Sequence, residues 1–136
     1  MGVDIRGLAP LLQVYDMPTA IHFYCDVLGF EVGATSHPGE KFDWALLKFG
    51  SVELMLNTAY EEHERPPAPD RAQIASHGDT ILYFGCRDLD GTYQHLRAHG
   101  LSVKEPRVAP YGMKQLYAED PDGYAICFQW PATQNS

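Results

Sequence analysis

Cysteine is scarce in this chain, and the three residues present do not pair by pattern. Cys25, Cys86 and Cys127 are odd in number, widely separated and free of any C-x-x-C spacing. A disulfide framework is therefore not expected, and the reading is a reducing, cytoplasmic compartment. Basic residues are also few. Ten Lys plus Arg face 18 Asp plus Glu, giving a formal net charge of −8. Such a chain does not coat a nucleic-acid backbone or dock on anionic lipid, so neither nucleic acid nor membrane is expected as a partner. No apolar run approaches the roughly 20 residues of a membrane-spanning helix. The opening MGVDIRGLAP lacks the basic-then-apolar order of a secretory signal. P-loop, G-x-G-x-x-G, G-x-S-x-G and H-E-x-x-H patterns are all missing, which leaves phosphate-cradling, serine-hydrolase and metalloprotease chemistry without support.

What is present belongs to a globular domain. A 45% hydrophobic share over 136 residues is enough to bury a core without a stapling metal. Residues 8–15 (LAPLLQVY) read as a strand. Asp16 is a helix cap with Pro18 in the first turn, and Ala20, Ile21, Tyr24, Val27 and Leu28 recur at helical spacing. Gly29 ends that helix. Strands follow at 30–34, 42–49 and 51–57, the last two as a hairpin near Gly50. Residues 58–78 hold three prolines and no apolar period, and read as a linker. A second series then begins. A strand at 80–86 leads to a helix capped by Asp88 or Asp90, carrying Leu89, Tyr93 and Leu96 and ending at Gly100. Strands follow at 101–103, 114–118 and 124–130, with Asp120-Pro121-Asp122-Gly123 as a strong turn. The two series share their punctuation at an offset of about 71 residues, which reads as βαβββ twice.

Two stretches carry a family resemblance. They are Ile21-His22-Phe23-Tyr24 running to Val27-Leu28-Gly29-Phe30, and Asp120-Pro121-Asp122-Gly123-Tyr124-Ala125-Ile126. With these the chain resembles the vicinal oxygen chelate superfamily, which includes glyoxalase I, bleomycin resistance proteins and extradiol dioxygenases. The resemblance implies an α+β fold in which two βαβββ modules form curled mixed sheets around a cup. The expected organisation is a single domain over 1–136, with module 1 at about 7–57, the linker at 58–78 and module 2 at about 79–131. Metal-dependent members hold one divalent ion with ligands from the first and last strands of each module. Carried over, those positions fall on Ala9, Glu53, Ile81 and Cys127. Ala9 and Ile81 have no lone pairs, and Glu53 with Cys127 makes a mismatched pair, so no metal and no cofactor are expected.

The candidate ligand-binding residues are Gln13, Trp44, Glu53, Tyr83, Gln115, Tyr117 and Cys127. Strand alternation puts Glu53 with Met55 on the cup face, where a carboxylate could meet a ligand cation or act as a base. The dull alternative is a solvated glutamate. Cys127 would share a face with Ala125 and Gln129, and a buried, inert thiol is the favoured reading. Tyr117, with Gln115 beside it, resembles in position a tyrosine that handles substrate protons in extradiol dioxygenases; a core tyrosine is the alternative. Gln13, Tyr83 and Trp44 are polar or aromatic wall candidates, with Trp44 more readily a core residue.

Three functions remain open at this point. The leading one is metal-independent binding of a neutral or cationic small molecule, sequestered in the cup. The second is a divalent-metal-dependent lyase, isomerase or dioxygenase using Glu53 and Tyr117. The third is a fold used only for partner binding. A homodimer is expected, because superfamily members often complete their cups across two chains.

Overall fold

The computed structural model describes residues 2–39, 41–58 and 64–132. It divides into two compact units, Met1–Pro67 and Ala68–Ser136. Each holds a four-stranded mixed sheet, and neither sheet closes into a barrel.

In the first unit, β1 (Leu11–Val14) leads into α1 (Met17–Ile21), then a π-helical segment (His22–Val27), β2 (Glu31–Thr35), β3 (Trp44–Phe49) and β4 (Val52–Thr58). The sheet order is β1-β4-β3-β2, with β1 parallel to β4 and the other pairs antiparallel. Asp16 caps α1, its carboxylate accepting from the Thr19 amide at 3.1 Å and the Thr19 hydroxyl at 2.6 Å. The helix widens after Ile21, and the Leu28 amide reaches back five residues to the Phe23 carbonyl at 3.0 Å. That change alters the buried face. Met17, Ala20, Phe23, Tyr24 and Val27 are buried, so Phe23 joins the core, while Ile21 and Leu28 are only half-buried. Gly29 leaves the helix with φ 99, a conformation that favours glycine. Leu12, Val14, Ala45, Leu47, Leu54 and Leu56 complete the core on one face of the sheet.

In the second unit, α2 (Arg71–His77) precedes β5 (Ile81–Gly85), α3 (Leu89–Ala98), β6 (Arg107–Val108), β7 (Met113–Glu119) and β8 (Ala125–Pro131). The order β5-β8-β7-β6 repeats that of the first sheet, with β5 parallel to β8. Asp88 is the cap of α3, accepting from the Gly91 amide at 2.9 Å, whereas Asp90 pairs with Lys114 at 3.0 Å.

Two expectations are corrected here. The strand expected at 101–103 is absent, and β6 lies at Arg107–Val108. Pro106 has no amide to offer a ladder, and the turn at 109–112 closes two residues after β6 begins to pair. The segment at 58–78 is also not wholly irregular, since α2 occupies its C-terminal part. Asp70 caps it through the Ala72 amide at 2.9 Å. None of its side chains is fully buried, so no apolar period announces it.

What holds α2 is the Asp120–Gly123 turn. The His77 imidazole donates from Nδ1 to the Asp122 carbonyl at 2.7 Å and stacks on the Tyr124 ring at 4.1 Å. Gly123 has φ 88, and a Cβ there would collide with the Ile74 carbonyl and stand 2.7 Å from its Cγ2. Gly123→Ala therefore meets both a strained backbone and an overpacked contact. Urea denaturation should show a loss of roughly 3 kcal/mol; a loss below about 1 kcal/mol would mean that α2 is not held on this turn.

Candidate ligand-binding site

The second sheet has two unlike faces because side chains alternate along each strand. Leu116, Ile126 and Phe128 are buried on the face that also receives Leu89 and Leu96 of α3. The opposite face carries the sequence candidates. The register aligns Tyr83 of β5, Cys127 of β8 and Tyr117 of β7 in one row. The next row aligns Gly85, Gln129 and Gln115, with Arg107 of β6 beyond Gln115. Four of the seven candidates, Tyr83, Gln115, Tyr117 and Cys127, thus meet on one surface.

That surface is held by a hydrogen-bond chain. The Gln115 amide donates to the Tyr111 hydroxyl at 2.7 Å and to Gln129 Oε1 at 2.9 Å. Its own oxygen accepts from the Tyr117 hydroxyl at 3.4 Å. Gln115 is buried, so these bonds offset its desolvation and fix its orientation. They also fix Gln129, whose oxygen is turned toward Gln115 and whose amide hydrogens are turned away.

Tyr117 and Cys127 are held in their neutral forms. The Tyr83 hydroxyl is the main reason that the Tyr117 phenol ionises less readily than usual, with partial burial and the Cys127 thiol adding to it. Burial pushes the Cys127 thiol up, opposed only in part by its interaction with Tyr117. Cys127 is fully buried although its face is open, while the tyrosines flanking it stay half-exposed, 50% for Tyr83 and 49% for Tyr117. The thiol therefore lies beneath the surface that a ligand would touch.

Beside the network an open concavity of about 440 Å³ runs between residues 102–110 and β7. Gln115 and Tyr117 line it together with Lys104, Glu105 and Arg107. Its size is that of a small-molecule site.

The other three candidates belong to the first unit. Gln13, Asn57 and Trp44 share one row of the first sheet, and the Asn57 amide donates to Gln13 Oε1 at 3.1 Å. Trp44 is half-buried on this face, outside the fully buried core. Glu53 is not part of that group. It sits four residues along β4, about 13 Å from Asn57 at ordinary strand rise. Its register partner is Lys48, whose Nζ lies 3.6 Å from the carboxylate. A ligand cation at Glu53 would share the carboxylate with Lys48.

The family's metal does not fit the donor set. Ala9 and Ile81 have no donor atom, Glu53 is engaged by Lys48, and Cys127 holds its proton. Among the described residues no three His, Cys, Asp or Glu side chains converge on one point.

A sequence profile of the Glyoxalase/Bleomycin resistance protein/Dioxygenase superfamily matches residues 8–128. The chain belongs to that superfamily. Among superfamily relatives, the lactoylglutathione lyase of Haemophilus influenzae is 31% identical over 130 residues, covering 89% of each chain. The structure of TnmS3, an antibiotic binding protein from Streptomyces sp. CB03234, superposes with a TM-score of 0.70 at 25% identity, covering 96% of this chain and 99% of that one. A glyoxalase/bleomycin resistance protein/dioxygenase from Nocardioides gives a TM-score of 0.73 at 21% identity, covering 98% and 89%, a likeness of fold.

Sequence reasoning missed four residues of these two surfaces. Asn57 continues the alternation of Glu53 and Met55, which was a usable signal. Tyr111 lies in the turn after β6, Lys104 in an irregular stretch before Pro106, and Arg107 in the two-residue β6, so alternation gives no guidance.

Cys127 yields a direct check. Iodoacetamide at pH 8.5 should leave it unmodified in the native protein and alkylate it in urea, while Cys86, half-exposed, reacts first. Peptide mapping that found Cys127 labelled as fast as Cys86 would show an accessible thiol instead.

Proposed function

We propose that the protein binds a small molecule on the open face of its second sheet, by shape and hydrogen bonding and without a metal. The observation that carries this reading is the Tyr111–Gln115–Gln129 network beside the concavity. A buried glutamine with both amide hydrogens committed is a pre-ordered surface, and pre-ordering lowers the entropic cost of binding. The half-exposed rings of Tyr83 and Tyr117 suit a planar guest. TnmS3 is named an antibiotic binding protein, which supports binding as a use of this fold.

A lyase reading is favoured by the name of the Haemophilus influenzae relative. It is opposed by Ala9 and Ile81 at positions where metal-dependent members supply ligands, and by the protonated state of Cys127. The binding reading needs none of these groups to ionise.

The test uses a planar neutral probe, naphthylmethanol. Its addition should move the backbone amide NMR signals of residues 102–117, and Tyr117→Ala should weaken it roughly fivefold through loss of one aromatic contact. Shifts confined to residues 44–57 would place binding on the first sheet and contradict the proposal.

The homodimer is part of the same reading. Outer strands β1, β2, β5 and β6 have unpaired edges within each sheet, and Val3, Ile5 and Leu8 are exposed apolar residues ahead of β1. Equilibrium sedimentation should give twice the 15.2 kDa of one chain; a mass of one chain at micromolar protein would remove the dimer from the account.

A further inference from the structure

The charge around the concavity runs against the charge of the chain. The protein carries −8 overall, yet the charged groups lining this site are Lys104, Arg107 and a single acid, Glu105. Most cations of the chain are committed elsewhere. Arg6 pairs with Asp4, Lys48 with Glu53, Arg65 with Asp16 and Lys114 with Asp90. Arg87 lies over Trp130, and Arg97 is held by Tyr93. Of the ten Lys and Arg residues, only Lys41, Arg71, Lys104 and Arg107 make no ion pair, side-chain hydrogen bond or ring contact among the described residues. Two of those four stand at the same concavity.

The floor cannot do the work of these cations. Both hydrogens of the Gln115 amide are used within the network, and the Tyr117 hydroxyl donates to Gln115. An acceptor group entering the concavity finds its available donors at Lys104 and Arg107. Arginine matches a carboxylate in a planar, two-bond geometry, and lysine adds a point charge. The exposed ring of Tyr117 lies at the same concavity as these two side chains.

We propose that this concavity selects a planar aromatic acid, with Lys104 and Arg107 taking its carboxylate while the ring lies against Tyr117. The inference rests on the binding reading above and reverses the preference for a neutral or cationic guest that the overall acidity suggests. Steering by two local cations over a distance shorter than the Debye length outweighs the screened field of distant surface acids.

Three probes of one ring system test it: naphthoate, naphthylmethanol and naphthylmethylamine, each titrated against the full chain at low salt and followed by amide NMR shifts of residues 102–117. Naphthoate should bind roughly fivefold more tightly than the alcohol, and the amine least tightly. The advantage of the acid over the alcohol should shrink at high salt and vanish in Lys104→Gln/Arg107→Gln. Glu105→Gln should enlarge it, an independent arm that does not depend on removing cations. Both sets of substitutions fall on exposed positions, so the fold is not at stake. If the alcohol binds as well as the acid, or the amine binds best, the charge selection is overturned while binding at this face stands. If none of the three moves these signals, the binding reading and the charge selection fall together.

Discussion

The register between β7 and β8 is the constraint on which the candidate site depends. Strand side chains alternate with a period of two, so a slip of β7 by one residue would carry Gln115 and Tyr117 to the helix-facing side, away from Cys127 and Gln129. The turn between the strands prevents that slip. Asp120 is buried, and its carboxylate accepts from the backbone amides of Asp122 at 2.8 Å and Tyr124 at 2.9 Å. Gly123 supplies the left-handed residue and the close approach to α2. A buried carboxylate with two amide donors is costly to disturb, because the loss of either partner leaves a polar group unsatisfied. The sequence motif that marks the family is therefore also the device that aims the site.

The same strand pair sets the surroundings of Cys127. Cys127 lies in β8, at the position that the family resemblance matches to a metal ligand. Here the residue is a buried thiol between two tyrosines, and burial raises its pKa against the lowering effect of its interaction with Tyr117. The neighbouring tyrosine is likewise kept neutral. The hydrogen-bonded network on this face, with Lys104, Glu105 and Arg107 at the neighbouring concavity, is the arrangement that supports the binding reading.

Much of the fold was legible because it is punctuated. Asp16 and Asp88 cap helices, Gly29 and Gly100 end them, and the Asp120–Gly123 turn sets the last hairpin. Each acts through local backbone chemistry that a sequence states directly. Two features were not legible for the same reason in reverse. Helix α2 is held by contacts of His77 and Ile74 to a turn some 45 residues away in sequence, and β6 is shifted past Pro106. The site was half legible. Alternation grouped Gln115 with Tyr117 and Cys127 with Gln129 within their strands, and the register brings these and Tyr83 onto one face. Alternation also grouped Glu53 with a ligand charge, when cross-strand register pairs it with Lys48. Lys104 lies in an irregular segment and Arg107 in a strand of only two residues, so their relation to Gln115 exists only once β6 is paired with β7.

The most direct test of this account is amide hydrogen exchange of the native protein with and without saturating naphthoate. The account predicts added protection concentrated in residues 102–117, with the first unit unchanged. Protection confined to residues 44–57, or no change in residues 102–117, would contradict the claim that the open face of the second sheet is the binding surface.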